Sequence, residues 1–417
     1  MEQTKNSKLI FWSGIVGNSL DHYDSALYAF LAPFLAPVFF PESDPIVALI
    51  LTYGIKSLSM FTRPLGAIIF GHLALHHPIK HLLSITLTGV AICTLAIGFI
   101  PGYNELGIYA PILLALIRAI QGIFAAGEHN IAALFILEHV KENKKLGKAS
   151  SYYLCSTMAG TLLASLAAWI VSNTANPDFS WRIAFILGVS TGVVGLFLRW
   201  KTNFEPTPPK LLTERPKSYK ILAANKWVLL KIIPISSFSF VTYIVPFIFL
   251  NNFVPLFTDI KLGELLMYNT ILLVIDIALI PVAGYLSDHF NLAKWMLSMS
   301  LLFAITIIPL FYLLPFLNVA GVTIVKIWII VLGVAFVAPL NALMYRLIPG
   351  REKYLVTGFG YAIGTEFLGR NTTAICLALW YFTESPFAPG AYVALVAICA
   401  SIALLTEVKN FKPIKDY

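Results

Sequence analysis

Residues 108–137 read IYAPILLALIRAIQGIFAAGEHNIAALFIL. The run is apolar and longer than the roughly 20 helical residues that cross a bilayer core. Arg118 and Glu128 nevertheless stand well inside its ends. A charged side chain at bilayer depth costs at least ~2.5–3.5 kcal/mol, so it faces a protein interior or a wet cavity rather than lipid. Two such charges on one span point to a protein that handles polar cargo within a membrane.

The rest of the chain agrees. It has 417 residues, 58% of them hydrophobic and only 12% charged, about half the charge of an ordinary soluble domain. The apolar residues fall into twelve candidate spans: about 9–39, 46–74, 82–100, 108–138, 149–172, 181–200, 228–257, 263–287, 292–314, 321–345, 355–382 and 388–406. The expected fold is an all-α membrane protein, with twelve transmembrane helices in two pseudo-symmetric six-helix bundles. The first apolar block is too long and too polar for a signal peptide and reads as a retained first span.

The net charge of +8 serves topology rather than nucleic acid. With the N-terminus in the cytoplasm, twenty-two basic residues fall on the cytoplasmic side of this map and only Arg182 and Lys261 on the other. That asymmetry places both termini inside. The longest connection, 201–227, is rich in prolines and charges and reads as a cytoplasmic linker. It separates an N-terminal bundle, 1–200, from a C-terminal bundle with a short tail, 228–417. A faint internal echo supports the division: GHLALH at 71–76 and GYLSDH at 284–289 each close the second span of a half. Paired halves suit alternating access to a site between them.

Polar residues within the spans are the candidates for chemistry. In span 1, GNSLDHYDSALYAF sets Asp21 and Asp24 three residues apart, on one helix face that Ser25 and Tyr28 continue. Two nearby carboxylates repel when both are ionised, so one suits proton coupling; the alternative is a structural pair or cap. In span 2, Lys56 and Arg63 share a face, Lys56 as counter-ion or anion site and Arg63 as a snorkelling or paired residue near the cytoplasmic end. In span 4, Arg118, Gln121 and Glu128 lie in register, and the Arg118 fork can hold a carboxylate bidentately. A structural ion pair is the competing reading. Gly122, Ala125, Ala126 and Gly127 allow a second helix to approach closely.

The second half is poorer in charge. Asp276 and Lys326 stand alone, and Glu366 and Arg370 form an i,i+4 pair of the structural kind. Span 7 carries Tyr243, Pro246, Asn251 and Asn252, residues suited to lining a small-solute cavity or to ordinary packing. Acids and bases inside the spans are equal in number, which favours a shared network of pairs. His76, His77 and His81 lie in one loop without a carboxylate or cysteine to complete a ligand set, and the four cysteines have no CxxC spacing. No metal site, cofactor or nucleic-acid partner is expected. There is no GxxxxGKS, no HExxH and no GxSxG in a strand–turn–helix context, so ATP-driven transport and hydrolysis have no basis in the sequence.

These residues resemble the major facilitator superfamily, and within it the metabolite:proton symporter family of proline/betaine, shikimate, citrate and 2-oxoglutarate transporters. GNSLDHYDSALY is similar to that family's G-N-x-x-E-W-Y-D-F-x-x-Y, with Asp21 in place of Glu. FFPESDP and RPLGAIIFGHL look like its span 1–2 loop and span 2, RAIQGIFAAGE its span 4 pattern, and Trp181-Arg182 its opening of span 6. The second half matches at superfamily level only. Three departures stand out: Leu75 where the superfamily's span 2–3 signature has Asp, His22 in place of Trp, and Ser25 in place of Phe. The altered span 2–3 loop implies that the chain is gated more loosely or is held differently.

The resemblance implies a monomeric secondary transporter of a bacterial inner membrane, moving a small organic acid, amino acid or zwitterionic osmolyte with protons. Substrate is expected at Arg118, Gln121, Tyr28, Lys56, Tyr243 and Asn251, and proton coupling at Asp21, Asp24 and Glu128. Gating or structural pairs are expected at Arg63, Asp288, Glu366 and Arg370. The alternatives are an exchanger or facilitator without proton coupling, or a membrane receptor that transports nothing.

Overall fold

A computed structural model of the chain describes residues 2–41, 43, 45–140, 145–174, 176–201 and 217–410. Most of the expected linker (202–216) and the last seven residues of the tail lie outside them. Among the described residues all regular structure is helical. Nine helices there are long and apolar enough to cross a bilayer, within a twelve-helix membrane fold.

The chain forms two compact units, one of residues 1–141, 153–221 and 350–359, the other of 142–152, 222–349 and 360–417. The first contains α1 (Glu2–Phe39), α2 (Pro45–Ser57), α3 (Ser59–His76), α4 (Ile79–Phe99), the short α5 (Tyr103–Leu106) and α6 (Tyr109–Glu138). It also takes most of α7 (Leu146–Ser172), α8 (Pro177–Lys201) and the start of α9 (Ser218–Ala224). The second contains α10 (Lys226–Ile244), α11 (Leu250–Phe253), α12 (Leu262–Ser287), α13 (Leu292–Leu313), α14 (Val319–Val337) and α15 (Leu340–Leu347). The end of α16 (Glu352–Ile363), α17 (Thr372–Thr383) and α18 (Phe387–Asn410) complete it.

In the first unit, α1 packs on α8 and α6 packs on α3 and α4. Small residues make the second packing possible. A Cβ on Gly66 of α3 would meet the Ile123 backbone of α6, its Cα at 2.7 Å, and one on Gly127 of α6 would meet the Phe70 ring at 2.6 Å. Helices that touch at backbone distance need such residues, because hydrocarbon offers no hydrophobic drive for association. Trp181 of α8 is fully buried among Phe39, Phe185 and Leu114. The next residue, Arg182, donates through Nη1 to the carbonyls of Gly98 (3.2 Å) and Ile100 (2.5 Å), which close α4. Trp-Arg at this point therefore combines a core plug with a helix C-terminal cap.

Two expected spans are interrupted. Between α10 and α11 the backbone takes a π-helical stretch, Val245–Phe249, at Pro246. A proline has no N–H to give the preceding turn, and the register slips there. Gly364–Gly369 forms a second π-helical stretch between α16 and α17 and carries Glu366. Glu366 pairs with Arg370 at 3.0 Å, and the guanidinium lies 5.0 Å from the Phe240 ring centre.

The loop echo read from the sequence proves chemically unequal. In the second unit, Asp288 follows α12 and accepts from the backbone N–H groups of Gly147 (2.6 Å) and Lys148 (2.9 Å) at the start of α7. A carboxylate at a helix N-terminus meets both unpaired amides and the positive end of the dipole. Burial pushes the Asp288 carboxyl above its ordinary range, against the pull of the two amides and Arg346. In the first unit the corresponding position is held by Leu75, which has no carboxylate. Here Arg351 donates through Nη1 to the carbonyls of Ala74 (3.2 Å) and His77 (3.0 Å), where α3 ends. Lys353 pairs with Glu138 at 2.7 Å nearby. The altered loop is held from its carbonyl side.

Two glycines should respond oppositely to the same change. Gly66→Ala forces a methyl against backbone and should cost about 1–3 kcal/mol. Gly54→Ala adds a methyl into open space on α2 and should be neutral or stabilising by up to ~1 kcal/mol. Thermal unfolding of the two variants in one detergent would show whether close α3–α6 approach is a requirement.

Candidate functional site

The site grows from Asp24, on the buried face of α1. The residue is 3% exposed, and its carboxylate receives two hydrogen bonds, Arg118 Nη1 to Oδ2 at 2.8 Å and the Thr94 hydroxyl to Oδ1 at 2.9 Å. Arg118 Nη1 also donates to Gln121 Oε1 at 2.5 Å, and Gln121 Nε2 donates to Thr94 Oγ1 at 3.0 Å. The four side chains close a ring from α6 to α1, to α4 and back to α6. Donors run from Arg118 to Asp24 by two routes, one direct and one through Gln121 and Thr94; the second route fixes the Gln121 amide, and each of its bonds polarises the next. The Arg118 guanidinium sits 4.3 Å from the Tyr28 ring centre, at cation–π distance. Tyr28 is itself held by a bond from its hydroxyl to the Thr52 carbonyl, 3.0 Å.

Arg118 enters this ring through Nη1 alone. Among the described residues Nε and Nη2 have no hydrogen-bond acceptor, and the side chain is 9% exposed. One edge of the fork is thus left open toward a small cleft lined by Asp21, Asp24, Lys56, Arg63, Arg118 and Gln121, with Ser25, Ser59, Gly122 and Ala125 completing the wall. The enclosed space is about 20 Å³, room for roughly one water molecule. Across it Arg63 Nη2 faces Asp21 Oδ1 at 3.5 Å.

Six residues singled out by sequence, Asp21, Asp24, Lys56, Arg63, Arg118 and Gln121, therefore meet on one cleft, with Tyr28 under the guanidinium. Lys56 and Arg63 do so although Leu58 separates α2 from α3. Glu128 does not line it: fully buried, it accepts from the Thr86 hydroxyl at 2.7 Å. Tyr243 and Asn251 belong to the second unit, where Lys326 Nζ donates to Asn251 Oδ1 (2.6 Å) and Asn269 Oδ1 (3.1 Å). Glu366 and Arg370 pair with each other in the second unit.

Thr94 was not identifiable from sequence. A lone threonine in an apolar span usually bonds its own helix, and Thr94 Oγ1 does lie 2.9 Å from the Val90 carbonyl. Asn18 was also missed as an organiser. Its Nδ2 contacts the Tyr153 carbonyl, Ser156 and Thr157, joining α1 to α7. Its place in the Gly-Asn pair of span 1 was the available signal.

A model of the Major Facilitator Superfamily matches residues 24–370. The chain is 29% identical to the proline/betaine transporter of Escherichia coli (strain K12), covering 96% of this chain and 83% of that one. It is 25% identical to the alpha-ketoglutarate permease of the same strain, covering 95% and 93%. Among solved structures it is similar to the proton:xylose symporter bound to 6-bromo-6-deoxy-D-glucose, with a TM-score of 0.73, 15% identity, and 98% and 96% coverage; at that identity the likeness concerns the fold.

Removing one member of the central pair should cost more than removing both. Asp24→Ala leaves Arg118 buried without its carboxylate and should destabilise the protein by about 3–5 kcal/mol. The double variant Asp24→Leu/Arg118→Met should regain most of that loss. Unfolding temperatures of the two variants against the unmodified protein would check it.

Proposed function

The chain belongs to the major facilitator superfamily, and we propose that it is a proton-coupled symporter of a small solute bearing a carboxylate: an organic acid, an amino acid or a zwitterionic osmolyte. At the coarser level it is a membrane-embedded secondary transporter and not an enzyme. The observation that carries the finer reading is the half-used fork of Arg118, engaged by Asp24 on one side and open to the cleft on the other.

Asp24 and a substrate carboxylate compete for one guanidinium. While Asp24 is ionised, an incoming carboxylate meets its negative charge a few ångströms away. Protonation of Asp24 removes that repulsion, weakens its hold on Nη1 and frees the fork for bidentate recognition. Linkage makes the effect mutual: bound substrate favours the protonated acid as much as the proton favours substrate. The cleft carries three bases and two acids, so protonating one acid increases its surplus of positive charge. The two named relatives also support the reading, since proline, betaine and alpha-ketoglutarate all carry a carboxylate.

In this reading Arg118 and Gln121 orient the substrate, Tyr28 supports the guanidinium, and Lys56 adds positive charge. Asp24 carries the proton and Asp21 is its neighbour on the same cleft. Tyr243 and Asn251 are the substrate contacts proposed within the second unit. Glu128 lies off the cleft, so neutralising it should impair coupling less than neutralising Asp24. Arg63, Asp288, Glu366 and Arg370 serve structure or gating. We place a monomer in a bacterial inner membrane with both termini in the cytoplasm.

Proteoliposomes supplied with proline, betaine or 2-oxoglutarate should alkalinise the outer medium when the cognate solute is added. Asp24→Asn should abolish acid-driven accumulation while retaining counterflow. Arg118→Lys keeps the charge but loses the fork and should lower uptake by roughly tenfold to a hundredfold, the worth of one to two charge-assisted bonds. Uptake without alkalinisation would replace this reading with exchange or facilitated diffusion.

A further inference from the structure

Beside the Asp24 ring, in the same unit, lies a second polar cluster that the ring does not use. Asp21 and His22 of α1 and His129 of α6 each bring one potential ligand atom to within 4.8 Å of the other two. Asp21 is 3% exposed, and its Oδ2 has no hydrogen-bond partner. His22 Nδ1 lies 3.7 Å from that oxygen, beyond hydrogen-bond range. Its other oxygen faces Arg63. A buried carboxylate oxygen without a donor is costly and uncommon.

The two imidazoles are oriented by one residue. His22 Nδ1 lies 2.9 Å from the Asn18 carbonyl, and His129 Nδ1 lies 3.2 Å from Asn18 Oδ1. Both oxygens can only accept, so each Nδ1 carries a hydrogen, and Nε2 is the nitrogen that can ligate a metal when the ring is neutral. Asn18 is itself fixed to α7 through Nδ2, and Tyr153 of α7 donates to the His129 carbonyl at 2.9 Å. An oxygen acceptor behind Nδ1 is the arrangement that orients metal-binding histidines and sets their tautomer.

We infer that Asp21, His22 and His129 form a binding site for a divalent transition metal of the Zn²⁺ class. Two imidazoles and one carboxylate suit Zn²⁺, Co²⁺ or Ni²⁺, whereas Mg²⁺ and Ca²⁺ seek oxygen ligands alone. Three protein ligands leave a fourth position for water, as in open zinc sites. The ion supplies the positive partner that Asp21 Oδ2 lacks, and Arg63 is the cation it must share that carboxylate with. No ligand spacing marks the site in sequence, because His22 and His129 stand on α1 and α6 and meet only in the fold. The inference does not depend on the coupling mechanism proposed above.

Tag-free purified protein titrated with Zn²⁺ against a chromophoric chelator should take up one tightly held equivalent. His22→Ala and His129→Ala should each weaken it by more than about tenfold, the least that loss of an outer-shell partner alone produces. The triple variant His76→Ala/His77→Ala/His81→Ala should bind as the unmodified protein does. X-ray absorption at the zinc edge of the unmodified protein, which needs no variant to fold, should show two imidazoles and an oxygen donor. Absence of a tight equivalent, undiminished affinity in both single variants, loss in the triple variant, or a spectrum without imidazole would overturn the inference.

Discussion

A guanidinium and a carboxylate set deep in apolar helices must find each other, and the first unit is built around that requirement. Each alone would bear a desolvation penalty of several kcal/mol. Paired, Arg118 and Asp24 tie α6 to α1, and Thr94 and Gln121 draw α4 into the same ring. The ring also depends on distance. Arg118 and Gln121 reach Asp24 and Thr94 only because α6 lies flush against its neighbours. Gly66, Gly89 and Gly127 permit that closeness, since a methyl at any of them would meet backbone or an aromatic ring within 3 Å. Close packing is thus a condition of the electrostatics, not a separate source of stability.

Pairing and function are not exclusive here, although the sequence presents them as alternatives for Arg118. A pair that satisfied every donor would be a rivet. Arg118 instead spends one nitrogen on the ring and keeps an edge toward the cleft. In the proposed reading the same residue holds α1 in one state and a solute carboxylate in another, and the energy of each contact limits the other. The room for roughly one water in the cleft bears on this too. Its walls must part before a solute enters, and the charges that line it are those that a proton or a solute would rearrange.

The fold was largely open to reading from sequence because the bilayer imposes a length scale. The apolar runs 108–138 and 263–287 fall within one or two residues of α6 and α12. Interruptions were harder. The first has a proline, Pro246, to mark it, but the π-helical turn at Gly364–Gly369 has none, and its glycines pack on Ile233 and Phe240 of α10, a contact that only the folded unit defines. At the site, charged residues identified themselves by their cost in lipid. Thr94, Asn18 and His129 did not, because a neutral polar residue in a helix can satisfy itself locally and shows its use only when another helix arrives. Glu128 shows the converse: its charge was plain in the sequence, its partner Thr86 and its distance from the cleft were not.

The loop echo between the halves makes the same point about inference from pattern. GHLALH and GYLSDH are alike as strings, yet one ends a helix whose carbonyls meet Arg351 and the other supplies the carboxylate that meets the amides of Gly147 and Lys148. Judged by the family pattern, Leu75 is a lost acid. Judged by which backbone groups need partners, the position has exchanged an anion at a helix start for a cation at a helix end, and both satisfy a dipole of the matching sign. The two differ in what loosens them. The Asp288 contact weakens when a carboxyl whose proton affinity burial has already raised becomes neutral, whereas the Arg351 contact carries a charge that no physiological pH removes. The two contacts therefore differ in whether a proton can neutralise their charge, a difference that counting motif letters would register only as a defect.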